Sequence, residues 1–483
     1  MPHALVTTLR RFLPDAAVLF EQEDTQPYEC DGLSVYKQVP LMVALPGSEA
    51  EVLLILEACH ASNTPVVARG AGTGLSGGAL PHAEGVLLSL AKLKNIISID
   101  PLARTARVQP GVRNQAISDA AAQYGLYYAP DPSSQIACSI GGNVAENSGG
   151  IHCLKYGLTV HNILQLRVVT IDGEILEIGS HALDAAGYDL MALLTGSEGM
   201  LGVVTEITVK LTPKPIKAQV VMAAFANLED AGSAVANVIA AGIIPAGMEM
   251  MDQITTRAVE EFLHAGYNTD AAAILLCESD GTVEEVADEI ARINDIMRQS
   301  GAIDIRASRD EAERVRLWAG RKAAFPAAGR ISPDYYCMDG TIPRKHLARV
   351  LNGIAALSEE YGLRCMNVFH AGDGNLHPLI LYDANRPGEL HKTEEFGARI
   401  LQMCIEVGGT ITGEHGVGME KINQMCAQFK PAELEMFHAV KAAFDPGGLL
   451  NPGKAVPTLR RCAEYGAMHV HGGAEKFPEL PRF

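Results

Sequence analysis

The strand-like run PVVAR leads into GAGTGLSGGALP, and no other stretch limits the fold so tightly. Five glycines fall within nine residues, beginning at Gly70. Gly72, Gly74 and Gly77 satisfy GxGxxG, a dinucleotide fingerprint that needs a helix to open directly after the turn. Here Gly78, Pro81 and Gly85 follow, and then the strand-like GVLLSL. The pattern therefore excludes NAD binding of the Rossmann kind. Missing side chains leave a backbone free to reach positive φ. Two readings stay open for it: a tight surface turn, or a nest of N–H groups around an anion with Arg69 at its rim.

Two further glycine-rich stretches favour the nest. PDPSSQIACSIGGNVAENSGG spans Pro130 to Gly150, and TGSEGMLGVVTE runs from Thr195 to Glu206. Three such loops fit a long cofactor carrying a pyrophosphate better than three surface turns. Around them the chain alternates strands and helices. LMVALPGSEAEVLLILEACHASNTPVVARG reads as strand, helix and strand, with Ser48 and Glu51 forming a capping box and Asn63 ending the helix. TARVQPG opens a second strand–helix pair. HNILQLRVVTIDGEILEIG reads as a hairpin turning at Asp172-Gly173, and LGVVTEITVKL as a further strand.

TPKPIK marks a boundary. Beyond it, helical stretches around 228–242, 281–300, 346–361, 390–407 and 431–443 alternate with strands such as AAAILLCES and RCMNVFH. This pattern predicts an α+β domain whose helices cover one face of a mostly antiparallel sheet. The chain divides into residues 1–215, 216–455 and a tail, 456–483. His469 and His471 read as tail residues or a partner contact, not a metal site.

Composition narrows the partners. Residues are 48% hydrophobic and 20% charged, as in soluble globular proteins. A net charge of −18 and a single Trp exclude a nucleic-acid partner. The ten cysteines are scattered and form no CxxC pair, which excludes a local iron–sulfur run and predicts reduced thiols in the cytoplasm. The N-terminus lacks signal-peptide features. AVANVIAAGIIPAGMEMM is interrupted by Asn237, Gly242 and Pro245 and reads as a buried helix and turn, so no direct membrane span is expected.

HAGDGNLH, residues 370–377, carries the chemistry. An Asp373-Gly374 turn would set His370 directly opposite His377, with Cβ atoms about 5 Å apart on one face. Such a pair either packs in a core, faces water or binds a metal. TITGEHGVGMEK supplies Glu414 and His415, which point to opposite faces of an extended segment and so take different tasks. ERVRLWAGRKAAFP offers Arg314, Arg316, Arg321 and Lys322 as cations.

RGAGTGLSGG, PDPSSQIACSIGGNVAENSGG and TGSEGMLGVVTE together resemble the FAD-binding domain of the vanillyl-alcohol oxidase type, also called the PCMH type. HAGDGNLH, GEHGVG and FDPGGLLNPGK resemble the α+β FAD-linked C-terminal domain of D-2-hydroxyacid dehydrogenases. PYECDGLSVY and RRCAEYGAMHVH are similar to the glycolate-oxidising branch of that family.

The resemblance implies FAD, held non-covalently. Cofactor-binding candidates are Arg69, Gly70, Gly72, Thr73, Gly74 and Gly77 in the first loop. In the second they are Pro130, Asp131, Ser134, Gly141, Gly142, Asn143, Asn147 and Gly149. Glu198, Gly202 and Val203 follow in the third, and Asn451 in NPGK, which with Lys454 closes over the flavin or forms a C-cap turn. His370, His377 and Glu414 match the family's ligands for a divalent metal, with Zn, Mn and Fe equally suited to such donors. His415 matches its base, and Arg321 its carboxylate-binding arginine. Phe325, Cys337 and Leu379 stand where dicarboxylate-acting members place polar groups, which favours a small 2-hydroxy acid such as glycolate or D-lactate. Tyr335, Tyr336 and Asp339 receive no role. A second FAD-domain subunit and an iron–sulfur subunit are the implied partners, linking the chain to a membrane. Three competing readings remain: a stand-alone D-lactate dehydrogenase, a flavin-free metallohydrolase on His370, His377 and Glu414, and an inactive flavin scaffold.

Overall fold

The computed structural model describes residues 4–182, 186–458 and 461–462. His469 and His471 lie outside the described residues. The first sheet has four strands in the order Val18–Leu19, Met42–Ala44, Val86–Ser89, Val66–Arg69. The last three run parallel, as the strand–helix–strand reading requires. The helix Glu49–Ala61 buries Val52, Ile55, Leu56 and Cys59 against them. Ser48 caps it by accepting from the Glu51 N–H at 3.3 Å. The Glu51 carboxylate takes the Gly47 N–H instead of that of Ser48, so only half of the expected box forms. Asn63 ends the helix at φ 50°. No helix separates Val66–Arg69 from Val86–Ser89, as the glycine loop demands.

A second sheet of five antiparallel strands follows in the order Ile96–Asp100, Thr105–Val108, Val203–Lys210, Ile163–Val169, Ile175–Gly179. The short helix Ile140–Glu146, capped by Ser139, lies within the second glycine-rich stretch, where the composition gave no periodic signal. The first glycine loop leaves the end of Val66–Arg69 in the first sheet, the second follows Leu126–Tyr127, which pairs with Thr212–Pro213, and the third leads into Val203–Lys210 in the second sheet.

The third sheet holds seven strands: Ala302–Ala307, Lys217–Phe225, Ala273–Gly281, Gly247–Asp252, Cys365–His370, Asn375–Tyr382, Asp334–Cys337. Every pairing is antiparallel. Helices do not cover one face only, which corrects the sequence reading. Val221, Ala223 and Phe225 pack against the helices Leu228–Ala240, Val283–Gln299, Leu347–Tyr361 and Glu389–Glu406. Val220, Met222 and Ala224 pack on the other side with Gln253–Leu263, Glu311–Lys322 and Ala324–Ile331. A strand buried on both faces has no reason to alternate, and VVMAAF does not.

Cys426 and Cys462 form a disulfide between the helix Ile422–Gln428 and the C-terminal segment, with Cα atoms 5.1 Å apart. This corrects the expectation of free thiols for that pair; the fold closes a separation of 36 residues that spacing alone could not pair. The other eight cysteines are free. Among the described residues no helix is long and apolar enough to cross a membrane.

Candidate active site

The hairpin places both histidines on one face, but not in the expected register. His370 pairs with Asn375, Phe369 with Leu376 and Val368 with His377. The loop is four residues, Ala371 to Gly374, closed by the Gly374 N–H donating to the His370 carbonyl at 3.0 Å. Register slips by two residues from the two-residue turn. Side chains alternate with period two, so an even slip preserves the face. The imidazoles are diagonal neighbours with ring centroids 5.1 Å apart, at 85° to one another.

Their free nitrogens converge on Glu414. His377 Nε2 lies 2.8 Å and His370 Nε2 3.3 Å from Glu414 Oε1. Behind His370, Nδ1 lies 2.6 Å from Glu249 Oε1, on the neighbouring strand. Burial alone would lower the His370 pKa, but the Glu249 and Glu414 carboxylates outweigh it and hold it well up. Burial alone would raise Glu414, yet hydrogen bonds from the two histidines hold it well down. One oxygen and two ring nitrogens within 4.8 Å of one another, with Nδ1 of His370 oriented from behind, make a donor set suited to a divalent ion.

His415 stacks parallel to His377 at 5.0 Å between ring centroids. Its Nδ1 is buried without a hydrogen-bond partner. Burial pushes its pKa down to about 4 despite the Asp339 and Glu414 carboxylates. The ring is therefore neutral at physiological pH and able to accept a proton.

Asp339, left without a role by the sequence, organises this loop. Its fully buried carboxylate accepts from the N–H groups of Gly413, Glu414 and His415 at 3.1, 3.2 and 2.9 Å. It also accepts from Thr412 Oγ1 at 2.5 Å and Asn375 Nδ2 at 2.8 Å. Lys421 Nζ lies 3.5 Å away. Burial would raise Asp339, but His415, Lys421 and His377 hold it low. The ligand loop and the histidine hairpin are thus fixed to one anion.

Arg321 departs from the expected placement. It is 2% exposed and does not line the cavity, because Glu249 Oε2 draws Nη2 to 2.6 Å. Nε and Nη2 still donate no aligned hydrogen bond. Its neighbour Lys322 does line the cavity, with Phe325. Arg314 is spent on Glu278 and Glu311, and Arg316 on Glu313.

The cavity measures about 440 Å³ and ends at His377, Glu414 and His415. Its walls include Arg69, Gly70, Gly72, Thr73, Gly74, Ser134, Gly141, Gly142, Asn143, Glu198, Gly202 and Val203. The remaining candidates stand behind that wall. Gly77 packs on Met419. The Pro130 carbonyl accepts from Asn114, and Asp131 accepts from His152. Asn147 ends the helix at φ 54° and accepts from Val160. A Cβ on Gly149 would strike Glu414. Asn451 donates to the Gly78 and Glu198 carbonyls at 3.0 and 2.7 Å, and Lys454 to the Gly78 carbonyl at 3.1 Å, so NPGK clamps the first loop. A side chain at Gly70 would collide with Ser139, so this approach of loop and helix needs glycine. A long trough with bare backbone at its glycine loops suits an elongated, pyrophosphate-bearing cofactor.

The family described as "FAD linked oxidases, C-terminal domain" matches residues 214–455, and "FAD binding domain" matches 40–179. "Glycolate oxidase subunit GlcD" of Escherichia coli (strain K12) is 64% identical over 480 residues, covering 99% of this chain and 96% of that protein. The chain belongs to the FAD-linked oxidase family. A protein of the same description from Bacillus subtilis (strain 168) is 40% identical over 88% of the chain and 91% of its own length. "D-lactate dehydrogenase" of Archaeoglobus fulgidus is 34% identical over 86% and 92%. Among solved structures, p-cresol methylhydroxylase with substrate bound aligns at a TM-score of 0.79 and 19% identity, covering 94% of this chain and 97% of that one. This FAD-linked oxidase therefore has the PCMH-type fold, and its FAD-binding domain removes the flavin-free reading.

Two halves of the oxidase are locked by charge. His152 Nδ1 lies 2.8 Å from Asp131 Oδ2, and Nε2 3.4 Å from Glu278 Oε1. Arg314 and Trp318 also hold Glu278. Lys155 and Tyr156 reach Asp280 at 2.5 and 2.7 Å. None of these contacts was legible from sequence pattern.

Proposed function

We propose that the chain oxidises a small 2-hydroxy acid, glycolate or D-lactate, to the 2-oxo acid, with FAD taking the hydride, as the catalytic subunit of a glycolate oxidase assembly. The observation that carries this is the meeting of a flavin-sized trough with the His370–His377–Glu414 donor set beside a neutral His415. FAD supplies the two-electron acceptor; the chain supplies position and charge. A divalent ion at His370, His377 and Glu414 would supply Lewis-acid activation of the hydroxyl. Glu249 holds the His370 tautomer. His415 takes the hydroxyl proton. We assign the substrate carboxylate to Arg321, as the family resemblance implies and as its undonated Nε allows, although Glu249 holds its Nη2; Lys322 is the cation at the cavity wall. Phe325, Cys337 and Leu379 stand where dicarboxylate-acting members of the family place polar groups, which supports a substrate with one carboxylate. The cofactor residues are the loop positions named above, the wall residues by contact and the others by holding the wall. We assign residues 1–215 to FAD, 216–455 to substrate and metal, and 456–483 to a tail.

The curated relative at 64% identity is described as a subunit. We therefore place the chain in the cytoplasm, with a second FAD-domain subunit and an iron–sulfur subunit carrying electrons to a membrane. The test is anaerobic addition of glycolate or D-lactate to the purified yellow protein. Bleaching of the flavin band supports the reading. A band that persists with either acid, in metal-loaded protein, rejects it.

A further inference from the structure

Glu146 ends the helix Ile140–Glu146, and its side chain belongs neither to the His370–His377–Glu414 donor set nor to the base. Its carboxyl sits where three loops meet. Side chains on Gly78 of the first glycine loop or on Gly416 of the ligand loop would strike its oxygens. From the third loop comes Glu198: the same added atom on Gly416 would meet the carboxyl oxygens of both glutamates. Glu198 is supplied with donors, the Val417 and Gly418 N–H groups, at 2.7 Å each. Burial raises its pKa, and these two N–H groups with Lys421 and Lys454 oppose the rise. Glu146 has no such donors, and its Oε2 is buried without a partner.

Two neighbouring buried carboxyls do not both ionise readily. Burial, Glu198 and Asp31 all push Glu146 well above the usual carboxylate range, and Lys421 and Lys454 oppose them only in part. The cluster therefore favours the protonated form of Glu146 over its anion. The residue is half-buried and lines the cavity between the glycine loops and the catalytic histidines. A protonated carboxyl is a hydrogen-bond donor, and one in a dry site persists only with an acceptor.

We propose that Glu146 donates a hydrogen bond to the bound flavin ring and stabilises its reduced form. Reduction places negative charge on the ring's pyrimidine side, so a donor there binds the reduced state more tightly than the oxidised one. The inference rests on FAD filling the cavity and on no assignment of substrate or metal.

The test uses the FAD-loaded full chain, reduced without any hydroxy acid against a reference dye. Glu146→Leu removes the donor and keeps the bulk. Its preference for reduced over oxidised flavin falls about tenfold, the worth of one buried hydrogen bond, which for a two-electron couple reads as ~30 mV. Glu146→Gln keeps a donor and stays within about threefold of the parent. Difference infrared spectra on reduction show a carboxylic C=O stretch that Glu146→Gln lacks. An unchanged potential in Glu146→Leu overturns the proposal, as does a Glu146→Gln shift equal to that of Glu146→Leu. A parent protein without the carboxylic band overturns it even if the leucine variant loses FAD.

Discussion

Asp339→Asn is the most demanding test of the site. The substitution keeps the shape of the side chain but replaces one oxygen with an NH₂ group. That group would face a ring of donors: the N–H groups of residues 413 to 415, Thr412 Oγ1, Asn375 Nδ2 and Lys421 Nζ. A buried hydrogen bond to a charged acceptor contributes ~1.5–3 kcal/mol. Removing one partner of a buried ion pair such as Asp339–Lys421 costs ~3–5 kcal/mol. Losing even two of these bonds exceeds the ~2.7 kcal/mol that corresponds to a hundredfold change in rate. The loop carrying Glu414 and His415 should therefore leave its position. We expect anaerobic flavin reduction by saturating glycolate to slow at least about a hundredfold in stopped flow. FAD content should stay full, because Asp339 does not line the cavity. A variant that reduces its flavin within about threefold of the parent rate would refute Asp339 as the organiser of this loop.

Other outcomes are equally specific. His415→Ala retains FAD but leaves the flavin band unbleached when substrate is added. Gly413→Ala drives a Cβ into Asn375 Nδ2, so both reduction rate and thermal midpoint fall, read by stopped flow and by circular dichroism. Burial alone would lower His152, yet Asp131 and Glu278 hold it up at about 10. Its stabilisation is complete below the ordinary histidine value of about 6.5 and is lost as pH rises through about 10. Thermal midpoints of the parent and His152→Ala should therefore converge above that pH and separate below it. Non-reducing peptide mapping should recover a Cys426–Cys462 link that Cys426→Ser lacks.

What the sequence displayed was local pattern. Ser48 before an apolar helical stripe, glycines crowded after a strand, and two histidines bracketing a turn are short-range signals, and each element formed. The face of His370 and His377 was legible because strand period is two; their register was not, because turn length depends on how Gly374 closes the loop. The two-sided cover of the large sheet was written in VVMAAF and ILLC, whose lack of alternation marks burial on both faces. Long-range partners left no trace. Glu249 is 121 residues from His370, and Asp131 is 21 residues from His152 but meets Glu278 through it. Asp339 is one acid among many until the chain folds 76 residues back on it.

The hairpin register has a consequence for how the segment tolerates change in length. Its loop between His370 and Asn375 can gain or lose residues in pairs, moving His377 along the strand by whole repeats while it still faces the same side. A single inserted residue would send one imidazole into the apolar layer beneath the sheet and bring Leu376 or Pro378 up in its place. Libraries of this loop should therefore divide by parity, with even-length changes keeping both rings on Glu414's side and odd-length changes losing one of them at a stroke.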